Sequence, residues 1–211
     1  MRNLNGFVID EDGLLINYKG DAVNVVIPDG VTAIRSYVFR GNKNIQSVQI
    51  PNGVTRIGEM AFEECENLKN INIPDSVTYI GYRAFNLCDS LKSIELPDSV
   101  SYLGHNAFAD CRKLEKITLS KNLKVIDDCT FCYCLKLKEV VIPEGVVAIG
   151  SRLFNQCASL NFVDVPKSLV TFGEDQFFSD EIFECPAHIR GYKGTVAEKL
   201  ADVAGRWLEE K

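Results

Sequence analysis

Apolar and polar residues alternate in short segments that recur along the whole chain. In one of them Ile71 and Ile73 are apolar, whereas Asn70 and Asn72 are polar. This alternation has the period of two that is typical of a short strand with one buried face. Pro74 comes next and is expected to end the strand, because proline cannot donate a hydrogen bond to a neighbouring strand.

The residues after this proline predict the rest of one structural unit. Val77 and Ile80 are expected to point inward, and Gly81 to turn the chain before Phe85 and Cys88 enter the interior. A unit of this size cannot bury these side chains alone. We therefore expect stacked units that cover one another at a spacing of about 4.8 Å.

An interval of 23 residues separates equivalent positions, which is the signature of a repeat architecture. Phenylalanine recurs at Phe39, Phe62, Phe85, Phe108, Phe131, Phe154 and Phe177. The turn proline recurs at Pro28, Pro51, Pro74, Pro97, Pro143 and Pro166. The chain is thus predicted to contain seven units of 23 residues between Val25 and Cys185.

The fifth unit departs most from the repeat pattern. Ser120 replaces the turn proline, Asp127 the glycine, and Thr130 the alanine found in neighbouring units. These substitutions predict a local kink or a wider turn at this place in the stack.

The second, third and fourth units follow the string Leu-x-x-Ile-x-Ile-Pro-[Asp/Asn]-[Gly/Ser]-Val-Thr-x-Ile-Gly-x-x-Ala-Phe-x-x-Cys almost fully. This string resembles the BspA-like class of bacterial leucine-rich repeats. The resemblance implies a curved, right-handed solenoid of seven coils, with a parallel β-sheet on its concave face and irregular or short helical segments behind. It also implies adhesion or protein recognition, although a fold by itself names no ligand.

One domain is predicted over residues 1–211, with the seven repeats at 25–185 between two caps that cover the outermost coils. The N-terminal cap comprises residues 1–24. Its apolar triplets at 7–9 and 14–16 flank a short acidic segment ending in glycine, which predicts a β-hairpin.

The C-terminal cap, residues 186–211, is predicted to contain a helix. Thr195 and Glu198 have the spacing of a capping box at its start. Apolar residues follow at helical spacing and give the helix one apolar face; they are Val196, Leu200, Val203 and Trp207.

Composition excludes some classes of function. Of 211 residues, 46% are hydrophobic and the formal net charge is -6, which disfavours nucleic-acid binding because such surfaces carry a basic excess. No apolar segment is long enough to span a membrane. The first six residues lack the apolar core of a secretory signal. We therefore expect a cytoplasmic protein, or a cell-surface or secreted one if an export signal has been removed.

The eight cysteines do not have the spacing of a disulfide framework, because five recur at the 23-residue interval: Cys65, Cys88, Cys111, Cys134 and Cys157. Stacked one coil apart, their Cα atoms would be close enough for a disulfide. Their Cβ atoms should nevertheless point in parallel. The pattern predicts a ladder of buried free thiols.

No catalytic residue, metal or cofactor is predicted. Cys129 and Cys132 lie beside ladder residue Cys134, but no second cysteine pair completes a tetrahedral zinc site. Cys185 and His188 form an isolated pair. Recognisable catalytic triads and glycine-rich phosphate loops are also missing from the sequence.

The outward-facing strand positions carry the candidate binding site. They form two columns, which are small and polar in the first half of the chain and become charged and then apolar toward the C-terminus. The candidate partner-binding residues are Lys116, Glu139, Val141, Phe162 and Asp164. An aromatic residue among mixed charges is typical of an interaction hot spot. The alternative is that a loop covers the two apolar residues, or that they are isolated surface side chains.

Two functions follow from these observations. The first is a non-catalytic, monomeric recognition module that binds a protein or cell-surface ligand on the concave sheet. The second is a structural or assembly protein that associates through the flanks or ends of the solenoid. An enzyme is disfavoured, because the repeat accounts for nearly every distinctive residue.

Overall fold

A computed structural model of the chain describes residues 2–173, 187–203 and 208–211. Its elements, in chain order, are β1 (Arg2–Leu4), β2 (Phe7–Ile9), β3 (Leu14–Tyr18), β4 (Asn24–Val26), β5 (Ala33–Ile34), β6 (Ser47–Gln49), β7 (Arg56–Ile57), β8 (Asn70–Ile71), β9 (Tyr79–Ile80), β10 (Ser93–Glu95), β11 (Tyr102–Leu103), β12 (Lys116–Thr118), β13 (Val125–Ile126), β14 (Glu139–Val141), β15 (Ala148–Ile149), β16 (Phe162–Asp164), β17 (Thr171–Phe172), β18 (His188–Gly191), α1 (Val196–Val203) and β19 (Leu208–Glu210).

Each coil contributes one strand to each of two parallel sheets. The front sheet consists of β4, β6 and β8, followed after a break by β10, β12, β14, β16, β18 and β19. The second sheet consists of β5, β7, β9 and β11, followed after a break by β13, β15 and β17. In both sheets, paired residues of successive coils are 23 positions apart as far as β16 and β17. The predicted solenoid with 23-residue coils and a parallel sheet is confirmed, and the second parallel sheet is an addition to that prediction.

The N-terminal cap contains the predicted hairpin and one strand more. Strands β2 and β3 pair in antiparallel fashion, and β1 adds to β2 in the same way. Strand β3 then pairs in parallel with β5, which joins the cap to the second sheet. Its Tyr18 ring packs between Phe7 and Phe39, at centroid distances of 4.7 and 5.2 Å.

Behind the sheets, each coil closes through an irregular turn whose backbone is bonded to the next coil. The amide of Phe62 donates to the carbonyl of Ala84 at 2.8 Å, and that of Glu64 donates to Asn86 at 2.9 Å. Glu64 and its equivalents adopt positive φ angles, 61° in this residue. Such angles are unfavourable for residues other than glycine, but here they direct successive amides toward the neighbouring coil.

The core is a set of ladders made by equivalent residues of successive coils. The stacked phenylalanine rings are buried, with centroid distances of 4.9–5.3 Å between Phe39, Phe62, Phe85 and Phe108. The five ladder cysteines are buried beside them as free thiols, as predicted. Their side chains would each be too exposed in an isolated coil, so stacking supplies the burial that stabilises the fold.

The fifth unit contains the predicted irregularity. Strands β11 and β13 do not pair, so the second sheet breaks between them. The rings of Phe108 and Phe131 are 6.2 Å apart, wider than the 5.2 Å between Phe85 and Phe108. Asp127 explains the widening. At the equivalent Gly104, a Cβ atom would lie only 2.6 Å from the backbone nitrogen of Tyr82 in the preceding coil.

The C-terminal cap continues the front sheet as well as supplying a helix. Strand β18 pairs in parallel with β16 and adds an eighth turn to the seven predicted coils, and β19 pairs with β18. Helix α1 confirms the helical prediction and packs on β18, where Gly191 allows the close approach of Ala197. The predicted positions Phe177, Cys185 and Trp207 lie outside the described residues, as does the side chain of Val203.

The helix begins close to the predicted capping box. The Thr195 hydroxyl oxygen accepts a hydrogen bond from the Ala197 amide at 3.3 Å. The Glu198 carboxylate accepts one from the Gly194 amide at 2.8 Å, one residue earlier than a standard capping box requires.

Candidate functional site

The front sheet brings the five candidate residues together on three adjacent strands. Lys116 of β12 is paired with Glu139 of β14, which is paired in turn with Phe162 of β16. In the second column, Val141 is paired with Asp164. The burial pattern of β14 is exposed, buried, exposed, so Glu139 and Val141 point away from the core.

The five residues differ in their solvent exposure. Lys116, Glu139 and Val141 are exposed, with Val141 at 56%. Phe162 and Asp164 point the same way but are half-buried. The expectation that Phe162 faces solvent freely therefore needs correction.

Side chains of strand β18 cover Phe162. The guanidinium carbon of Arg190 lies 4.5 Å from the centroid of the Phe162 ring. The ring of His188 is 5.6 Å from it, centroid to centroid. Phe162 thus has an aromatic neighbour and a cation over its ring, an arrangement that stabilises the docking of the cap.

Asp164 is ion-paired within the chain. Its carboxylate accepts a hydrogen bond from Nε of Arg190 and lies 3.0 Å from Nζ of Lys211. Only 15% of its side chain is exposed. Because both cations come from the C-terminal cap, Asp164 joins the cap to the sheet, and its charge is already compensated on this surface.

A depression of about 840 Å³ lies over β12 and β14, beside the candidate residues. Its lining residues are Glu115, Lys116, Ile117, Thr118, Leu119, Lys121, Lys138, Glu139, Val141, Pro143 and Glu144. We call this depression the apolar groove, since aliphatic side chains and proline form much of its surface while charged residues surround them. It contains three of the five candidates.

Charged pairs lie along the walls of the apolar groove, although Asp98 is not one of its lining residues. Nζ of Lys138 lies 2.9 Å from a Glu115 carboxylate oxygen, and Nζ of Lys121 lies 3.2 Å from Asp98. The hydrogen bond from Lys138 lowers the pKa of Glu115 below its ordinary value. Near neutral pH the walls therefore carry both signs of charge, as suits a partner with mixed charges.

The first half of the front sheet has a different chemistry. A second depression of about 720 Å³ is lined mainly by polar side chains and meets the apolar groove at Lys116 and Thr118. The side chain of Asn72, which lines this second depression, is hydrogen-bonded within the protein. Its side-chain amide accepts from the Ile50 amide at 2.8 Å and donates to the Ile50 carbonyl at 3.0 Å.

Sequence reasoning missed part of the groove and its border. Pro143 and Leu119 line it although they follow the strands, and the regular proline column could have indicated Pro143. Arg190 and His188 were missed for another reason. They begin a strand 26 residues after its partner, so the 23-residue interval does not point to them.

Within the described part of the chain, one group of side chains could offer three ligand atoms to a metal: His105, Asp127 and Asp128. Nε2 of His105 lies 3.0 Å from Asp127, and its Nδ1 lies 3.7 Å from Asp128. A histidine between two carboxylates accounts for these contacts without an ion. The group lies at the fifth-unit irregularity and lines neither depression.

Comparisons with known proteins agree with this architecture. The family model described as "BspA type Leucine rich repeat region" matches six copies, over residues 17–89 and 56–183. None of the curated proteins compared with the chain matches it. No helix among the described residues is long and apolar enough to cross a membrane.

Solved structures of bacterial proteins are similar to this chain, and the first two below share its fold. A leucine-rich-repeat protein of T. pallidum is 28% identical with a TM-score of 0.80, over 96% of this chain and 94% of that one. A leucine-rich repeat protein of Eubacterium ventriosum is 22% identical with a TM-score of 0.55, over 78% of this chain and 41% of that one. A leucine rich cell surface protein of Faecalibacterium prausnitzii is 18% identical, with a TM-score of 0.47, over 92% and 94% of the chains.

Proposed function

The chain belongs to the family of BspA-type leucine-rich-repeat proteins, and on that premise we propose that it is a non-catalytic recognition module. Its partner is a protein or a cell-surface ligand, bound on the front sheet around Lys116, Glu139, Val141, Phe162 and Asp164. The observation that carries the proposal is the apolar groove, in which Val141 is 56% exposed among charged residues.

The chemistry of the groove favours a protein partner. Burying an exposed valine contributes about 1.5 kcal/mol through the hydrophobic effect, so the groove supplies an apolar anchor. Charged residues around an apolar centre orient a partner and exclude others more than they add affinity. The pairs Glu115–Lys138 and Asp98–Lys121 place such charges beside the anchor.

The five residues have different proposed roles. Lys116, Glu139 and Val141 are exposed and make direct contact with the partner. Phe162 and Asp164 are held by Arg190 at the C-terminal border of the surface. They position that border of the binding surface.

The test uses two matched valines of the same outward column. Val141 lies in the apolar groove, whereas Val26 lies on β4 at the other end of the front sheet and is 61% exposed. Partner protein is captured from the native source with wild type, Val141→Asp and Val26→Asp, and is identified by mass spectrometry. Circular dichroism and thermal unfolding confirm that each variant is folded.

We expect Val141→Asp to abolish capture of the protein that wild type and Val26→Asp retain. If Val141→Asp still captures the partner and Val26→Asp does not, the binding surface lies on the polar half of the sheet, and the proposal that the apolar groove binds the partner is refuted. Retention by both variants would refute binding on the front sheet.

An assembly role is the second candidate, and a different surface favours it. Val147 and Val170 are exposed on neighbouring coils beside the second sheet, Val170 at 68%, and the Val170 amide donates to the Val147 carbonyl at 2.9 Å. Val125 is exposed on the preceding coil and is paired with Ala148, the residue after Val147. Light scattering over a concentration series tests this role. A constant monomer mass supports the monomeric module, whereas association that Val170→Asp abolishes supports assembly.

A further inference from the structure

Two cysteines outside the ladder lie on the back turn of the fifth unit. Cys129 occupies the position of Arg83 and Asn106 in the two preceding coils, and Cys132 occupies that of Ala109. Packing of the repeat therefore does not require a thiol at either position. Both thiols are free, Cys129 half-buried and Cys132 buried.

The turn holds the two cysteines close together. The Cys132 amide donates to the Cys129 carbonyl at 3.1 Å, which closes a tight turn over residues 129–132. The Cα atoms at the ends of such a turn are less than about 7 Å apart. A disulfide requires about 4.4–6.8 Å, so a turn of this kind brings the two residues into the range of distance at which a disulfide can form. Side-chain hydrogen bonding couples the two thiols.

The neighbouring coil fixes the positions of both residues. The Cys129 amide donates to the Ser151 carbonyl at 3.0 Å. The Cys132 thiol donates to the Arg152 carbonyl at 2.7 Å. The Cys132 thiol has a single proton to donate, so the Cys129 sulfur and the Arg152 carbonyl compete for that proton. The Cys129 sulfur becomes the stronger acceptor when Cys129 ionises.

The two thiols differ in acidity. Hydrogen bonding to Cys132 lowers the pKa of Cys129 to about 7, the Arg152 charge adds to this, and burial and Asp128 oppose it. The same hydrogen bond and burial raise the pKa of Cys132. Ladder thiols are also less acidic than usual, since burial raises the pKa of Cys65 to about 12.

From this geometry we propose that Cys129 and Cys132 form a redox-reactive dithiol that low-molecular-weight disulfides oxidise. The Cys129 thiolate attacks one sulfur of glutathione disulfide, forms a mixed disulfide and releases one glutathione thiolate. The Cys132 thiol then gives its proton to the released glutathione thiolate and attacks the Cys129 sulfur. This releases the second glutathione as a thiolate, which takes up a proton from solvent. The two cysteines are oxidised to one disulfide, and one glutathione disulfide is reduced to two glutathiones.

The order of attack follows from exposure and acidity. At pH 7 about half of a thiol with a pKa near 7 is ionised, against about 3% of an ordinary cysteine. Cys132 is too buried to meet the oxidant first. After Cys129 has reacted, however, their shared turn provides a high effective concentration for the second step.

The first experiment measures native reactivity. Reduced, folded protein is alkylated briefly with iodoacetamide at a series of pH values, then unfolded, and the label on each cysteine is quantified by peptide mapping. We expect Cys129 to react at least about tenfold faster than Cys65, Cys88 and Cys111, with a midpoint near pH 7. Reaction no faster than the ladder would refute the proposal.

The second experiment tests the disulfide. Folded wild type, Cys132→Ser and Cys129→Ser are incubated with glutathione disulfide and mapped without reduction. Wild type should give an intramolecular Cys129–Cys132 disulfide, Cys132→Ser a stable glutathione adduct on Cys129, and Cys129→Ser no adduct on Cys132. A wild-type product that stops at the adduct would overturn the role of Cys132. The wild-type measurements stand even if a variant fails to fold.

Discussion

The thiol of Cys88 donates a hydrogen bond to the backbone carbonyl of Phe62, 26 residues earlier, at 3.3 Å. The other ladder thiols make the same contact with the phenylalanine carbonyl of the preceding coil, at 3.1–3.2 Å: Cys65 with Phe39, Cys111 with Phe85, Cys134 with Phe108 and Cys157 with Phe131. Each thiol is therefore a second donor to a buried carbonyl that already accepts from a backbone amide, in addition to filling space.

We expect Cys88→Ala to destabilise the protein by about 0.5–1.5 kcal/mol, because the buried Phe62 carbonyl loses one of its two donors and keeps the Cys65 amide. Cys88→Ser keeps a donor at the same place and should lose less. The free energy of unfolding in urea measures both variants. Equal losses for alanine and serine would mean that the side-chain volume matters and the hydrogen bond does not.

The sequence predicted the ladder but not its hydrogen bonds. The 23-residue interval required one cysteine above another, and the structure confirms five buried free thiols. The acceptor lies 26 residues away, however, because the chain rises from one coil to the next between Phe62 and Cys88. Sequence periodicity relates equivalent positions and does not reveal contacts between different columns.

The glycine that begins the back turn provides a second prediction. At Gly104 a Cβ atom would lie 2.6 Å from the Tyr82 nitrogen and 2.8 Å from the Gly81 carbonyl carbon. Gly104→Ala must therefore push two coils apart, and we expect it to lower the free energy of unfolding by about 1–3 kcal/mol.

Asp127→Ala is the matched control for this substitution. The fifth coil already lies far enough from the preceding coil to fit a Cβ atom at position 127, as the 6.2 Å separation of the Phe108 and Phe131 rings indicates. We expect a smaller loss, arising from the contact of Asp127 with His105. If Gly104→Ala is as stable as wild type, the glycine does not set the spacing of the coils.

The side chain of Asn72, directly after β8, leads to a third prediction. Asn72 bonds through its side-chain amide to both backbone groups of Ile50 in the preceding coil. We expect Asn72→Ala to cost about 1–2 kcal/mol, since two backbone groups lose their partners. Chemical denaturation of Asn72→Ala and Asn70→Ala measures this, because Asn70 is an exposed neighbour on the same face. Equal stability of the two variants would contradict the structural role of Asn72.

The candidate site could be predicted only as far as the repeat extends. Strand alternation correctly placed Val141 outward, and the structure shows it exposed. It could not show that Phe162 is half-covered, because the covering strand β18 starts 26 residues after β16 and belongs to the cap. Nor could it show that cations of the cap pair with Asp164, since nothing periodic relates Arg190 or Lys211 to it.

The last prediction concerns this contact between cap and sheet. The side chains of Asp164 and Arg190 are 15% and 28% exposed, so their hydrogen-bonded pair is largely shielded from water. A double-mutant cycle of Asp164→Asn and Arg190→Gln should give a coupling free energy of about 1–3 kcal/mol. Lys211 is kept in all four proteins, and urea unfolding provides the free energies.

Lys138 and Glu115 form the matched pair, because they also join neighbouring coils, at 2.9 Å, but with side chains that are 60% and 46% exposed. Solvent and salt screen such a pair, so its coupling should be much smaller and should vanish as salt is raised. The coupling between Asp164 and Arg190 should persist in salt. If both pairs couple equally and fade together, burial does not strengthen the contact of the cap, and Arg190 holds the cap mainly through its position over the Phe162 ring.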